Sequence, residues 1–311
     1  MTQQYALLIW GFKMNQFITA VLTSLSTGAI YALMSIALVL VWRSTRVINF
    51  AQAGQAIFTT YIGYEVTTRS GSYWLGLAVA IIFGAILGAG IERFFLRPIF
   101  KRVNSGPIAT IAPVVATLGL LGIFQSLIGF IWGVAYKSIP TPVSSDGIKI
   151  SGTIIAFSPF DLMVLISVTI SMILLTILFQ KTNIGLALRA SAFSPEISKL
   201  SGVRVDFVRT LGWALAGAAG GLAGMLYVPG VSLYPNSMDI LLVFGFIAAV
   251  IGGLESLLGA VVGAMLLGFV MNFAATYISY KIVFTTAFTI LILVLLIKPS
   301  GIFSDKGKSN V

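Results

Sequence analysis

Three amides and a hydroxyl are the residues of this chain best placed to act on something else. Asn49, Gln52 and Gln55 recur every three residues, Thr59 follows four further on, and all of them sit inside an apolar run. On a helix this spacing puts them along one side. Amides donate and accept hydrogen bonds without titrating, so their chemistry is recognition, not proton transfer or nucleophilic attack. Facing lipid they would be costly, so the stripe must face another helix or a wet passage. Gly54 offers a point for a kink or break, and broken helices line the substrate route of many transporters. An amide ladder joining two helices is the alternative. The residues alone leave both open.

Other chemistry is excluded by composition. The chain has no cysteine and no histidine, which removes disulfides, thiolate metal sites, haem ligation by His, zinc catalysis, and Ser-His or Cys-His nucleophilic pairs. The pattern GxxxxGK(S/T) of a phosphate loop is absent as well. No metal and no cofactor is expected, and any uphill movement must draw on an ion gradient or on another polypeptide. The carboxylates argue against the gradient. Glu65 and Asp239 fall near one set of span ends, Glu92 stands beside Arg93 at the other, and Glu255 lies in a short turn. Proton and sodium relays usually need an acid at mid-membrane.

A second group of residues lies in the long polar interruption 181–209. It carries Lys181, Arg189, Lys199, Arg204 and Arg209 against only Glu196 and Asp206. Ser194-Pro195-Glu196 has the form of a helix start, with a capping hydroxyl, Pro at the first helical position and an acid in the first turn. Gly202 supplies the stop. A short helix on a basic loop beside a membrane is a surface on which another protein can push. Basic inner loops also arise in any multi-span protein.

The elements that must carry these groups follow from hydropathy. The 311 residues are 58% hydrophobic and 9% charged, against about 25% charged in soluble domains, and mean hydropathy is +1.02. The sequence predicts an all-α polytopic membrane protein, one transmembrane domain over 1–311, with 8–9 spans and a discontinuous second span. Apolar runs fall at 17–41, 47–64, 73–91, 108–132, 160–180, 210–229, 240–253, 257–276 and 282–298, of which the second is polar and the seventh short. The first is too long for a cleaved signal. With 181–209 placed inside, alternation leaves Lys13, Arg69, Lys137, Lys149 and Lys281 outside and puts every other basic residue inside, Lys306 and Lys308 included. That asymmetry predicts an outer N-terminus and a cytoplasmic C-terminus. It also accounts for the net charge of +10 without nucleic acid. Trp42, Trp74, Trp132 and Trp213 fall at expected span ends, where interfacial aromatics belong. Gly76, Ala80, Gly84 and Gly88 form a small-residue stripe, as do Gly212, Ala216, Gly220 and Gly224, and such stripes let helices approach closely. Within a subunit they predict packing; between subunits, a dimer face. Segment 133–159 is loop-like, and Ser158-Pro159-Phe160-Asp161 opens the next helix.

Several stretches in order resemble the permease subunits of branched-chain amino acid ABC importers, the LivH-type family. They are Gly28-Ala-Ile-Tyr-Ala-Leu33, Val47-Ile-Asn-Phe-Ala-Gln52, Glu92-Arg-Phe-Phe-Leu-Arg-Pro98 and Ala116-Thr-Leu-Gly119 leading to Ile131-Trp-Gly133. Gly185-Leu-Ala-Leu-Arg-Ala190, Pro195-Glu196, Gly202-Val203, Gly217 to Gly224, Gly252-Gly-Leu254 with Gly259, and Lys298-Pro-Ser-Gly-Ile-Phe303 complete the set. The chain departs from the pattern at Ala53, where many relatives have Gly, and at Ile197-Ser198, where paired alanines are usual. The resemblance implies an ABC importer permease in a bacterial or archaeal plasma membrane. Its partners would be a second homologous permease, two ATP-binding subunits and an extracytoplasmic substrate-binding protein. It implies ATPase coupling at Arg189, Ala190, Pro195, Glu196 and Gly202, and a translocation path at Asn49, Phe50, Gln52 and Gln55. The substrate would be an amino acid, first of all leucine, isoleucine or valine. The alternatives are urea or short amides carried by the same machinery, or an ion-coupled secondary transporter.

Overall fold

The structure is a computed structural model that describes residues 2–102, 107–150 and 153–303, with side chains over 14–102, 111–148 and 155–303. Lys306 and Lys308 lie outside the described residues, as do the side chains of Lys13 and Lys149.

Each expected apolar run is a helix. They are α1 (Thr2–Thr45), α2 (Ala51–Ser70), α3 (Tyr73–Gly90), α5 (Pro107–Trp132), α6 (Pro159–Lys181), α9 (Val205–Tyr227), α10 (Asp239–Gly252), α11 (Leu257–Tyr277) and α12 (Val283–Ile297). A π-helical turn, Ile91–Leu96, joins α3 to the short α4 (Arg97–Arg102). Seven of the helical stretches are long and apolar enough to cross a membrane. The two outside that group are α2, which is polar, and α10, whose 14 residues reach only about 21 Å at the α-helical rise. Two further helices, α7 (Asn183–Phe193) and α8 (Pro195–Leu200), occupy the basic interruption. The segment expected to be loop carries a small antiparallel hairpin, β1 (Ile148–Ile150) with β2 (Thr153–Ile155), in which Ile148 pairs with Ile155.

Local signals set several of these boundaries. Ser158 and Asp161 form a reciprocal capping box: the Ser158 hydroxyl accepts from Asp161 N at 3.1 Å, and the Asp161 carboxylate accepts from Ser158 N at 2.8 Å. The same carboxylate accepts from the Ser26 hydroxyl at 2.6 Å, tying α1 to the start of α6. Gly253, at φ +102°, ends α10, and Ser256 caps α11 by accepting from Gly259 N at 2.9 Å.

Two helices organise the bundle. α1 is buried almost all round from Gly28 to Val41 and touches α6, α7, α9, α10 and α11. α9 carries two faces on which small residues leave the backbone bare for a neighbouring helix. The expected stripe Gly212, Ala216, Gly220 and Gly224 faces α1 and α2: a Cβ on Gly212 would meet Ser44, and one on Gly224 would meet Thr60. One residue along, Trp213, Gly217 and Gly221 face α3. A Cβ on Gly217 would lie 2.0 Å from the Gly84 carbonyl, and one on Gly88 would lie 2.2 Å from the Trp213 carbonyl. The stripes therefore pack helices within the subunit. Trp213 corrects the interfacial expectation, because it is fully buried. Its helix begins at Val205, five residues before the apolar run, so Trp213 stands more than two turns inside.

Candidate functional site

The backbone break expected near Gly54 falls earlier. Helix α1 ends at Thr45, Arg46 adopts φ +58°, and residues 46–50 are irregular before α2 starts at Ala51. α2 runs straight through Gly54, where a Cβ would sit 3.2 Å from Leu121 Cα, so this glycine serves close packing against α5. Asn49 and Phe50 thus lie in the break, and Gln52 and Gln55 on the first turns of α2. The Phe50 backbone N–H donates to the Thr117 hydroxyl at 3.3 Å, which ties the break to α5.

The amides are buried and committed. Asn49, Gln52 and Gln55 have no solvent exposure, whereas Phe50 is half-buried. Asn49 Nδ2 donates to Gln52 Oε1 at 3.1 Å, Gln52 Nε2 to the Ala216 carbonyl of α9 at 3.0 Å, and Gln55 Nε2 to the Gly84 carbonyl of α3 at 3.3 Å. Glycines make room for them: a Cβ on Gly220 would lie 2.6 Å from Gln52 Nε2, and one on Gly217 would lie 2.4 Å from Gln55 Nε2. The ladder therefore clamps α2 to α9 and α3. Thr59 is not part of it, since its hydroxyl turns back to the Ala56 carbonyl at 2.8 Å. Asn49 Oδ1 and Gln55 Oε1 are buried acceptors with no hydrogen-bond partner among the described residues.

The second site gathers at the arginine-rich end of the bundle. Ser194 caps α8 by accepting from Ile197 N at 3.4 Å, Pro195 stands at its first position, and Gly202 leaves it at φ +83°. These agree with the sequence. Helix α7 does not appear in the sequence reading, although Thr182 is its cap, accepting from Gly185 N at 3.0 Å. Gly185 allows the turn itself, because a Cβ there would lie 2.2 Å from the Leu178 carbonyl of α6. Leu188, Ser191 and Ser198 form the buried underside. Arg189, Pro195, Glu196 and Gly202 are exposed and Ala190 is half-buried, so all five expected coupling residues share this platform. Apolar side chains stand among them, Ile197 at 61% and Leu200 at 89% exposure. A surface this apolar outside the spans suits burial against a partner.

Beneath the platform is a network that sequence reasoning missed. Glu92 pairs not with Arg93, which is exposed, but with Arg97. Arg97 Nε and Nη2 reach the two carboxylate oxygens at 3.1 and 2.6 Å, and the Thr210 hydroxyl donates to the same carboxylate at 2.7 Å. Arg97 also donates to the Asp206 carbonyl at 2.9 Å. Residues five apart diverge on an α-helix, but the intervening turn is π-helical, and there the Arg97 N–H bonds the Glu92 carbonyl directly. The first turns of α9, which follow α8 after a four-residue link, are thereby tied to the end of α3. Arg46 makes a comparable tie, pairing with Glu255 and donating to the Ala192 carbonyl of α7 at 3.1 Å.

A bundle of alternating apolar helices around two tightly packed central ones, with a capped two-helix platform at its basic end, defines a multi-span membrane protein. Residues 20–297 match the family described as "Branched-chain amino acid transport system / permease component", and the chain belongs to that family. It is 31% identical to the probable branched-chain amino acid transport permease protein LivH of Methanocaldococcus jannaschii, over 74% of this chain and 72% of that one. It is 27% identical to the permease protein BraD of the Pseudomonas aeruginosa high-affinity branched-chain amino acid transport system, over 93% and 96% of the two chains. The corresponding LivH of Escherichia coli is 28% identical, over 92% and 95%.

Proposed function

We propose that this chain is the conduit subunit of an ATP-driven importer of branched-chain amino acids, with ATP hydrolysed on separate subunits. The observation that carries the proposal is mechanical. The exposed platform of α7 and α8 runs directly into α9, and α9 is locked to α3 by backbone contact and the Glu92–Arg97–Thr210 network, and to α2 by Gln52. A push on the platform would be delivered to these helices as a rigid-body movement. In this scheme the arginine-rich end is cytoplasmic, which is the orientation the charge asymmetry favours. Two ATP-binding subunits meet Arg189, Ala190, Pro195, Glu196 and Gly202. A second homologous permease completes the passage, and an extracytoplasmic binding protein delivers substrate at the opposite end. Asn49, Phe50, Gln52 and Gln55 form the passage wall nearest the backbone break: Phe50 keeps an accessible surface, and the buried amides behind it hold α2 against α9 and α3.

The test is uptake of labelled leucine, with urea in parallel, in cells lacking and regaining this subunit, each with vanadate or a protonophore. The expected result is loss and rescue of leucine uptake that vanadate blocks. Rescue of urea alone would keep the machine and change its cargo. Uptake that follows the ion gradient and ignores vanadate would overturn the proposal.

A further inference from the structure

At the arginine-rich end a cleft of about 640 Å³ opens between the last turns of α1 and α6, helix α7, and the turn that begins α11. Its charged residues are Arg43, Arg46, Arg189 and Glu255. Glu255 is taken by Arg46. Arg43 lies over the Phe179 ring, 5.1 Å from its centroid, and neither it nor Arg189 forms an ion pair among the described residues. Three guanidiniums therefore face one carboxylate across a single cavity. Ser256 and Leu257, where the 21-residue α11 begins, also line the cleft, so the positive end of that helix adds to the same field.

We propose that this cleft binds the phosphate headgroup of an anionic phospholipid. Charge and depth together favour a lipid over other anions. Guanidinium forks match phosphate oxygens, and basic pockets between spans at the cytoplasmic side are suited to anionic headgroups. The cleft lies where α1, α6 and α11 all end or begin, which is the level of lipid phosphates in a bilayer crossed by those helices. Half of its wall is apolar, with Phe179 and Leu258 beside the arginines. A free phosphate gains nothing from such a wall, whereas the glycerol and first methylenes of a lipid do. The site lies beside the platform and shares Arg189 with it, so a bound lipid would brace α7 against α1 and α6. The proposal stands whether or not the importer reading does, because it concerns binding and not transport.

The test uses the purified assembly containing the full chain, titrated with phosphatidylglycerol or phosphatidylcholine and read by native mass spectrometry. The expected result is selective retention of phosphatidylglycerol. Losing one guanidinium should lower affinity roughly fivefold at about 1 kcal/mol per basic side chain near a charged surface. Arg43→Gln should show that loss, and Lys181→Gln, exposed at the end of α6 and outside the cleft, should not. Leu258→Trp, which narrows the cleft without touching its charge, should also reduce retention and covers the case in which Arg43→Gln misfolds. Equal retention of both lipids, or unchanged retention in Arg43→Gln and Leu258→Trp, would overturn the proposal. Displacement of phosphatidylglycerol by millimolar inorganic phosphate would overturn the lipid assignment and leave a site for free anions.

Discussion

Removing Arg97 should cost more than removing Glu92, although both changes break the same ion pair. The difference comes from what each leaves behind. The Glu92 side chain is 1% exposed and that of Arg97 is 20% exposed. Without Arg97, the carboxylate keeps, among the described residues, only the Thr210 hydroxyl at 2.7 Å. An orphaned buried charge of this kind costs about 3–5 kcal/mol. Without Glu92, the guanidinium still has the Thr210 hydroxyl at 2.6 Å, the Asp206 carbonyl at 2.9 Å and the Asp206 carboxylate at 3.9 Å. Loss of one charged hydrogen-bonded partner, partly replaced by water, costs about 1–2 kcal/mol. The double substitution should cost less than the sum of the two, because the orphaned charge is gone. Replacing the pair by Glu92→Leu with Arg97→Met should recover much of the loss. The assay is the thermal unfolding midpoint of the purified protein in detergent, for Arg97→Ala, Glu92→Ala, the double alanine variant and the apolar pair. A Glu92→Ala loss equal to or larger than that of Arg97→Ala would refute the reasoning, as would strict additivity.

Three further outcomes are expected. Gly217→Ala places a Cβ 2.0 Å from the Gly84 carbonyl and 2.4 Å from Gln55 Nε2, so it should destabilise by about 1–3 kcal/mol. Gly122→Ala, with nothing within 4 Å, should be neutral or stabilising by up to about 1 kcal/mol; equal thermal midpoints for the two would contradict the close packing of α3 on α9. Gln52→Leu removes one bond to α9, worth about 0.6–1.7 kcal/mol between membrane helices, so assembly should survive while uptake falls. Normal substrate kinetics in that variant would leave the amides a packing role alone. Arg189→Glu reverses a charge on the exposed platform and should lower uptake per ATP hydrolysed without changing membrane insertion. An unchanged ratio would remove Arg189 from the coupling surface.

Much of this architecture is legible in the chain because it is local. A span needs a run of apolar residues of fixed length, and those runs stand plainly at their observed places. Ser158 and Ser194 begin helices because a hydroxyl before Pro satisfies a first-turn N–H wherever the chain folds. Gly202 ends one because it accepts a positive φ at little cost. The basic asymmetry is likewise a property of the linear order.

What the sequence did not yield is every choice of partner. Asn49, Gln52 and Gln55 pointed equally to a passage and to a ladder, since the same amides satisfy either. Only the neighbours, α9 with Gly220 and α3 with Gly84, show that Gln52 and Gln55 hold helices together. Glu92 stands next to Arg93 in the chain, but a π-helical turn brings Arg97, five residues away, onto it. The second glycine face of α9 and the burial of Trp213 depend on which helix lies against which side. Capping and hydropathy are decided within a few residues of chain. Close approach of backbones, and the pairing of a buried polar group, are decided by surfaces that exist only once distant helices have met.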